Sequence, residues 1–184
     1  MKKNYVKKLC VCSVLSALFV ALEYLSALIA KIAFMDGYQI PISCFPLILA
    51  SIIFGIKWGA FTAIVGSFVS QLILPYGISW STLIWMAPTV IYGIFVATLY
   101  LSFKKSNNPI VLTFEFFISS IVLSCLNIIA TFIDSLVTGY PYDFLKSFFV
   151  LFVSIKIIGA IIFAVIFAVI TPYVIKRIKK TVKI

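Results

Sequence analysis

The chain has 184 residues, of which 64% are hydrophobic and 11% are charged, and its mean hydropathy is +1.22. A soluble domain carries roughly 45–50% apolar and about 25% charged residues, so the composition excludes a soluble globular protein. A formal net charge of +10 would suggest nucleic-acid binding in a soluble chain. In so apolar a chain, basic residues instead orient the spans and contact anionic lipid headgroups. The sequence therefore predicts an integral membrane protein in contact with lipid and without a nucleic-acid partner.

Six apolar segments predict membrane-spanning helices. A helix needs about 17–25 mostly apolar residues to cross a hydrocarbon core of roughly 30 Å. The predicted spans are 10–30, 40–54, 58–74, 83–103, 110–133 and 144–175. Hydropathy defines the second and third spans least sharply, because Pro41, Pro46 and Gly55 bound or interrupt them. No linker or strong internal repeat divides the chain, so we expect one all-α bundle over residues 1–184.

The distribution of basic residues predicts the orientation of these spans. Lys and Arg in short loops collect on the cytoplasmic side of a membrane. With the N-terminus inside, the outer segments hold only Lys31 and Lys146. The inner segments hold Lys2, Lys3, Lys7, Lys8, Lys57, Lys104, Lys105, Lys176, Arg177, Lys179, Lys180 and Lys183. Both termini of the six-helix bundle are therefore expected in the cytoplasm.

The residues needed for catalysis or metal binding are sparse. Histidine is absent, the four cysteines form no C-x-x-C pair, and five acidic residues are scattered along the chain. This pattern predicts no metal site, no disulfide and no catalytic centre, and it implies no cofactor. No phosphate-binding loop occurs either, so any ATP must be hydrolysed by a partner.

Three polar side chains stand out within the spans, namely Glu23, Asn127 and Lys156. A charge inside a membrane costs roughly 2.5–3.5 kcal/mol on insertion scales, so we expect each of these residues to have a structural or functional role. Lys156 precedes Lys176 by twenty residues, which is about 30 Å along a helix. Lys156 is therefore predicted near the outer boundary of the membrane.

Polar and aromatic residues also recur at helical spacing in the fourth and fifth spans, at a similar predicted level. This convergence predicts an outward-facing pocket for a small, flat, polar molecule. The residues are Asn127, Thr131 and Asp134 in the fifth span and Trp85, Thr89 and Tyr92 in the fourth, with Trp80 in the preceding loop.

Structural roles for these residues remain open. Lys156 could extend to the headgroups or neutralise Asp134 or Glu23. Asn127 could join two helices by a hydrogen bond, and the tryptophans could belong to an interfacial aromatic belt.

A stripe of small residues marks the first span. Ala17 and Ala21 are four positions apart, and Ser13 extends the stripe backward. Small side chains at this spacing allow close contact between helices in lipid. The stripe predicts either internal packing or a docking surface for another membrane subunit.

Two segments carry a resemblance to a known family. FGIKWGAFTAIVGSFVSQLI (54–73) is similar to a family pattern of Phe-Gly-Pro-x-Trp-Gly-Ala, although Ile56 and Lys57 stand where Pro plus one residue is favoured. YGISWSTLIWMAPTVIYGIF (76–95) resembles the loop and fourth helix that line the family's binding site. With Lys156 and the pair of alanines, the chain resembles the substrate-binding S components of energy-coupling factor transporters, the bacterial vitamin importers.

The resemblance implies a function and a set of partners. The S component binds a water-soluble vitamin outside the cell and topples in the membrane to release it inside. A transmembrane coupling subunit would dock on Ala17 and Ala21, and two ATP-binding subunits would power uptake.

In this hypothesis six residues bind the substrate. Lys156 faces an anionic or carbonyl group, Asn127 hydrogen-bonds the ligand, and the aromatic residues stack on it. The substrate-binding residues are Lys156, Asn127, Trp80, Trp85, Tyr92 and Asp134.

In several family members an Asn or Arg stands one turn before the lysine, where this chain has Val153. Folate, pantothenate, riboflavin, biotin and thiamine precursors therefore all remain candidate ligands. The rival hypotheses are a non-transporting scaffold of the cell-wall elongation type and an autonomous secondary carrier.

Overall fold

A computed structural model describes the backbone of residues 2–32, 41–73, 79–103, 108–139 and 142–182. Within these ranges it describes the side chains of 5–29, 31–32, 41–73, 79–103, 108–139 and 158–180. The described residues are almost entirely helical and contain no strand, which confirms the predicted all-α class. The helices are α1 (Lys2–Ile32), α2 (Cys44–Phe54), α3 (Ile56–Ile73), α4 (Trp80–Ser102), α5 (Pro109–Thr138) and α6 (Tyr142–Val182), with a short 3-10 turn, Pro41–Ser43, before α2.

Five of these helices, all except α2, are long and apolar enough to cross a membrane. The protein is therefore a multi-pass membrane protein. The segment Pro41–Phe54, which includes α2, is apolar but shorter than a full span. The count of six spans and the cytoplasmic placement of both termini stay predictions. Helices α1 and α6 continue beyond the predicted spans, because backbone hydrogen bonding does not stop where the apolar run gives way to lysines.

Helix α2 lies inside the bundle. It contacts α1, α3, α4 and α6, while the other helices pack as neighbours in the order α1, α3, α4, α5, α6. Every residue from 46 to 52 is buried, on all sides of the helix. A helix that is apolar all round is suited to such an interior position. The short second apolar segment of the sequence therefore forms the core that the longer helices surround.

Close backbone contacts join α2, α3 and α4 at three small residues. The Ser51 hydroxyl donates a hydrogen bond to the Gly93 carbonyl oxygen at 2.8 Å. A Cβ atom on Gly59 would overlap the Ser51 hydroxyl and lie 3.0 Å from Ser51 Cα. A Cβ atom on Gly93 would lie 3.2 Å from the Gly59 carbonyl oxygen. We call Ser51, Gly59 and Gly93 the three-helix junction.

The start of α3 is set by Gly55, the single residue that follows α2. Its φ of 85° lies in the left-handed region, which glycine adopts without a steric penalty. The Gly59 amide donates to the Gly55 carbonyl oxygen at 3.0 Å, so α3 begins immediately after the turn. Helix α3 therefore packs back along α2 and presents its polar C-terminal half to the opposite end of the bundle.

Candidate ligand-binding site

A cavity opens between the helices at the end of the bundle away from the first turns of α1. Gln71 lines it from near the end of α3, and Trp85 lines it from near the start of α4. Ser43 borders it from the turn before α2, and Ala160 borders it from α6. Because α1 and α5 also contribute, all six helices meet at this cavity.

Hydroxyl groups form a large part of the wall. Those of Ser67 and Ser124 already donate hydrogen bonds to their own helices, to the Ala63 carbonyl oxygen at 2.6 Å and the Ser120 carbonyl oxygen at 2.9 Å. A hydroxyl that donates in this way keeps lone pairs that can accept. The wall therefore suits a ligand that supplies N–H or O–H donors. The lining hydroxyl residues are Ser43, Ser67, Ser70, Thr89, Ser120 and Ser124.

One acid and two amides add stronger polar groups. Glu23 reaches the cavity from α1, beside the Ser43 hydroxyl, while Gln71 and Asn127 enter from α3 and α5. A carboxyl group accepts hydrogen bonds whether or not it is ionised. Among the lining residues that the structure describes there is no Lys or Arg. This part of the wall is therefore better suited to a neutral ligand than to an anion.

Aromatic faces border the cavity on two helices. Phe19 lies on α1, and Trp85 and Tyr92 lie two turns apart on α4. The Trp85 indole N–H donates to the Asp134 carboxylate at 3.3 Å, and the Ser81 hydroxyl donates to the same carboxylate at 2.5 Å. These bonds tie α4 to α5 and fix the indole. Flat aromatic walls of this kind favour a flat ligand that can stack on them.

A family model described as ECF-type riboflavin transporter, S component, matches residues 3–180. The match covers nearly the whole chain. The chain belongs to this family. Comparison with curated proteins and with solved structures returns no match. The predicted resemblance to S components of vitamin transporters is thus confirmed, and the family is a transporter component family and not an enzyme family.

The structure of this S component brings three of the predicted ligand-binding residues together. Asn127, Trp85 and Tyr92 all line the cavity, and Thr89 lies between the two aromatic residues on α4. The spacing of seven residues between Trp85 and Tyr92 places them on one face of a helix, as the sequence predicts. Tyr92 is only 1% exposed, so it lies in the buried part of the bundle.

The other three predicted residues have different positions. Asp134 is not among the described lining residues, and it instead holds Trp85 in place. Trp80 is 82% exposed and lies outside the cavity wall. Lys156 belongs to α6 but lies outside the described side chains. It precedes the lining residue Ala160 by one helical turn.

Sequence reasoning missed several residues of this S component's cavity. Two patterns could have revealed them, because polar residues at i, i+3 and i+4 share one face of a helix. Ser67, Ser70 and Gln71 have this spacing on α3, and Ser120 and Ser124 lie on the same face of α5 as the predicted residue Asn127. The sequence singled out Glu23 only as a possible counter-charge to Lys156.

The stripe of small residues lies on the outside of α1. Ser13, Ala17 and Ala21 are exposed, whereas Ser16 and Phe19 face the interior. Within the part of the chain that the structure describes, the side chains of Ser13, Ala17 and Ala21 are therefore not packed inside the bundle. An exposed strip of small side chains lets the backbone of another membrane helix approach closely.

Proposed function

We propose that this S component binds riboflavin in the cavity and delivers it to an ATP-driven importer. The proposal rests on the composition of the cavity wall. The wall combines hydrogen-bond acceptors, aromatic faces and one acidic residue, Glu23. The family description, which names riboflavin transporters, supports the same ligand.

Riboflavin matches the wall in shape and polarity. Its tricyclic ring is flat and uncharged, and it suits the faces of Trp85 and Tyr92. Its ring imide combines an N–H donor with carbonyl acceptors, which an amide such as Asn127 or Gln71 can pair with. The hydroxyl groups of its ribityl chain supply donors for Glu23 and the serines. The ring imide and the ribityl hydroxyl groups thus each have candidate partners among the described residues.

Vitamins that carry a carboxylate fit the described wall less well. Folate, biotin and pantothenate would each bring a negative charge toward the acidic residue Glu23. Lys156 could offset that repulsion, since it lies one turn from Ala160 on the helix that reaches the cavity. In a riboflavin site, the lysine would instead donate to a ring carbonyl. A site for carboxylate vitamins should therefore release riboflavin when such a vitamin is added, whereas a riboflavin site should not.

The test is a titration of the purified protein with riboflavin in mild detergent, in which binding is monitored by the quenching of flavin fluorescence. We expect saturable binding that biotin, folate and pantothenate fail to displace at hundredfold excess. Displacement by a carboxylate vitamin would contradict the assignment of riboflavin. The absence of any retained vitamin in equilibrium dialysis would favour the scaffold hypothesis instead.

Uptake in this proposal requires a coupling subunit and two ATP-binding subunits in the bacterial cell membrane, around a six-span bundle with both termini in the cytoplasm. The exposed stripe of Ala17 and Ala21 is the proposed docking surface. Replacing both alanines by Trp should abolish co-purification with the coupling subunit and leave riboflavin binding intact. Ile129→Trp, at a 53% exposed position on α5, is the matched control. Normal assembly of the alanine variant would contradict docking on this stripe.

An autonomous secondary carrier makes a different prediction. Such a carrier would accumulate riboflavin in liposomes that contain no other subunit. We expect binding without transport under those conditions, and transport only when the ATP-binding subunits and ATP are present. Uptake by the protein alone would contradict the proposed dependence on partners.

A further inference from the structure

Three aromatic side chains meet where α1 and α3 begin, at the opposite end of the bundle from the cavity. The Tyr5 and Trp58 ring centroids are 5.1 Å apart, and those of Trp58 and Phe61 are 5.9 Å apart. Tyr5 is 60% exposed, while Trp58 and Phe61 are half-buried. We call these three residues the aromatic cluster. Its position depends on Gly55, which starts α3 at the level of the first turns of α1.

Two lysines flank the aromatic cluster. Lys8 lies one turn after Tyr5 on α1 and is half-buried, and Lys57 lies next to Trp58 and is exposed. Helix α3 contains no acidic residue, and the first acid of α1 is Glu23, fifteen residues beyond Lys8. That separation corresponds to about 22 Å along the helix. The positive charge at this end is therefore not balanced by an acid of either helix.

Apolar side chains continue from the cluster along the outside of both helices. Leu9 is exposed one turn beyond Tyr5 on α1, and Ile64 and Phe68 are exposed on α3. Tyr and Trp rings favour the headgroup level of a membrane, where one end of the ring is apolar and the other is wet. The surface thus has basic and aromatic side chains together near the start of both helices, and apolar side chains further along them.

We propose that the aromatic cluster, with Lys8 and Lys57, binds the headgroup of an anionic phospholipid such as phosphatidylglycerol. The phosphate would face the two ammonium groups, and the acyl chains would lie along the exposed apolar residues. A zwitterionic lipid would bring no net charge to the lysines, so the charge of this surface favours an anionic lipid. The inference stands on this surface alone and does not depend on the proposed ligand of the cavity.

The experiment is native mass spectrometry of the delipidated full chain during titration with phosphatidylglycerol or phosphatidylcholine. We expect the wild type to bind the anionic lipid in preference to the zwitterionic one. The double variant K8Q/K57Q should bind phosphatidylglycerol about thirtyfold more weakly, as expected for two charges near an anionic headgroup. The double variant K8R/K57R keeps both charges and should retain binding, which separates loss of charge from misfolding.

Two further variants decide whether the site is local. Lys179 and Lys180 are exposed on α6 and lie outside the aromatic cluster, so K179Q/K180Q should leave phosphatidylglycerol binding unchanged. Trp58→Leu keeps the lysines and should weaken binding. Equal losses in K8Q/K57Q and K179Q/K180Q would overturn the proposal, and so would wild-type binding by K8Q/K57Q. Riboflavin titration of the same samples reports separately on the cavity, so failure of one proposal is distinguishable from failure of the other.

Discussion

The two ends of this helix bundle are built differently, although α2, α3 and α4 contribute to both. At the three-helix junction the Ser51 hydroxyl bonds across to the Gly93 carbonyl oxygen, and glycines bring the backbones together. At the cavity end the Ser67 hydroxyl bonds back to its own helix, and its lone pairs line a space. The same residue type therefore joins helices at one end and forms a polar wall at the other. This contrast predicts that stability and ligand affinity can be changed separately.

The largest expected effect is on stability, at the three-helix junction. Gly59→Ala would place a methyl group onto the Ser51 hydroxyl and 3.0 Å from Ser51 Cα. Such overpacking should lower the free energy of unfolding by about 2–3 kcal/mol. The measurement is thermal unfolding of the purified protein in detergent.

Gly139→Ala provides the control for Gly59→Ala. A Cβ atom there meets no atom within 4 Å, but its φ of 75° is left-handed. The expected cost is about 1–2 kcal/mol, from backbone conformation alone. A Gly59→Ala protein as stable as the wild type would contradict the close contact between α2 and α3.

The next largest effect is on affinity, and it compares two acids inside the bundle. Glu23 lines the cavity, whereas Glu115 is fully buried on α5, and neither of its carboxyl oxygens has a hydrogen-bond partner among the described residues. Glu23→Gln should weaken riboflavin binding about tenfold or more, because the amide replaces one acceptor oxygen by an NH2 group, and a ligand donor left without an acceptor costs about 1–3 kcal/mol. Glu115→Gln should change affinity less than twofold. Equal effects of the two substitutions, measured by fluorescence titration, would remove Glu23 from the site.

A third prediction concerns Lys156. Lys156→Ala should weaken riboflavin binding by about tenfold, or about 1.4 kcal/mol, without loss of the folded protein. The physical reason is the loss of a cationic donor one turn from Ala160 on α6. Lys31→Ala, at the exposed end of α1, removes the same charge elsewhere and should have no effect on affinity. Unchanged affinity in the Lys156 variant would exclude this residue from the binding site.

The smallest effect is expected at Trp80. Its side chain is 82% exposed and lies outside the cavity wall, so Trp80→Ala should change riboflavin affinity less than twofold. Trp85→Ala removes part of the wall and should weaken binding much more. Isothermal titration calorimetry of both variants makes the comparison directly. A larger loss in the Trp80 variant would mean that the ligand binds nearer the start of α4 than we propose.

Much of the helical architecture could be predicted from the sequence, because membrane helices are defined by long apolar runs. The fifth span was predicted at 110–133 and the helix is Pro109–Thr138. The central position of α2 was not predicted, since hydropathy does not distinguish a short buried helix from a short span. Its packing against four other helices depends on contacts that are distant in sequence.

The binding site was predicted less completely than the helices. Periodicity correctly grouped Trp85 with Tyr92, but it could not show that Asp134 turns toward Trp85 and Ser81 rather than toward the cavity. Glu23 was missed as a lining residue because its proximity to Ser43 depends on how α1 packs against the turn before α2. One sequence shows which residues share a helical face, but not which faces meet.

The most direct test of the central claim is to identify the small molecule that co-purifies with the protein. The chain should be extracted in mild detergent from cells grown with a mixture of vitamins and then denatured, and the released compounds should be analysed by mass spectrometry. We predict riboflavin at close to one molecule per chain, and strongly reduced riboflavin in Glu23→Gln prepared in parallel. A carboxylate vitamin at that ratio, or riboflavin retained equally by the variant, would contradict the assignment of the cavity as a riboflavin site.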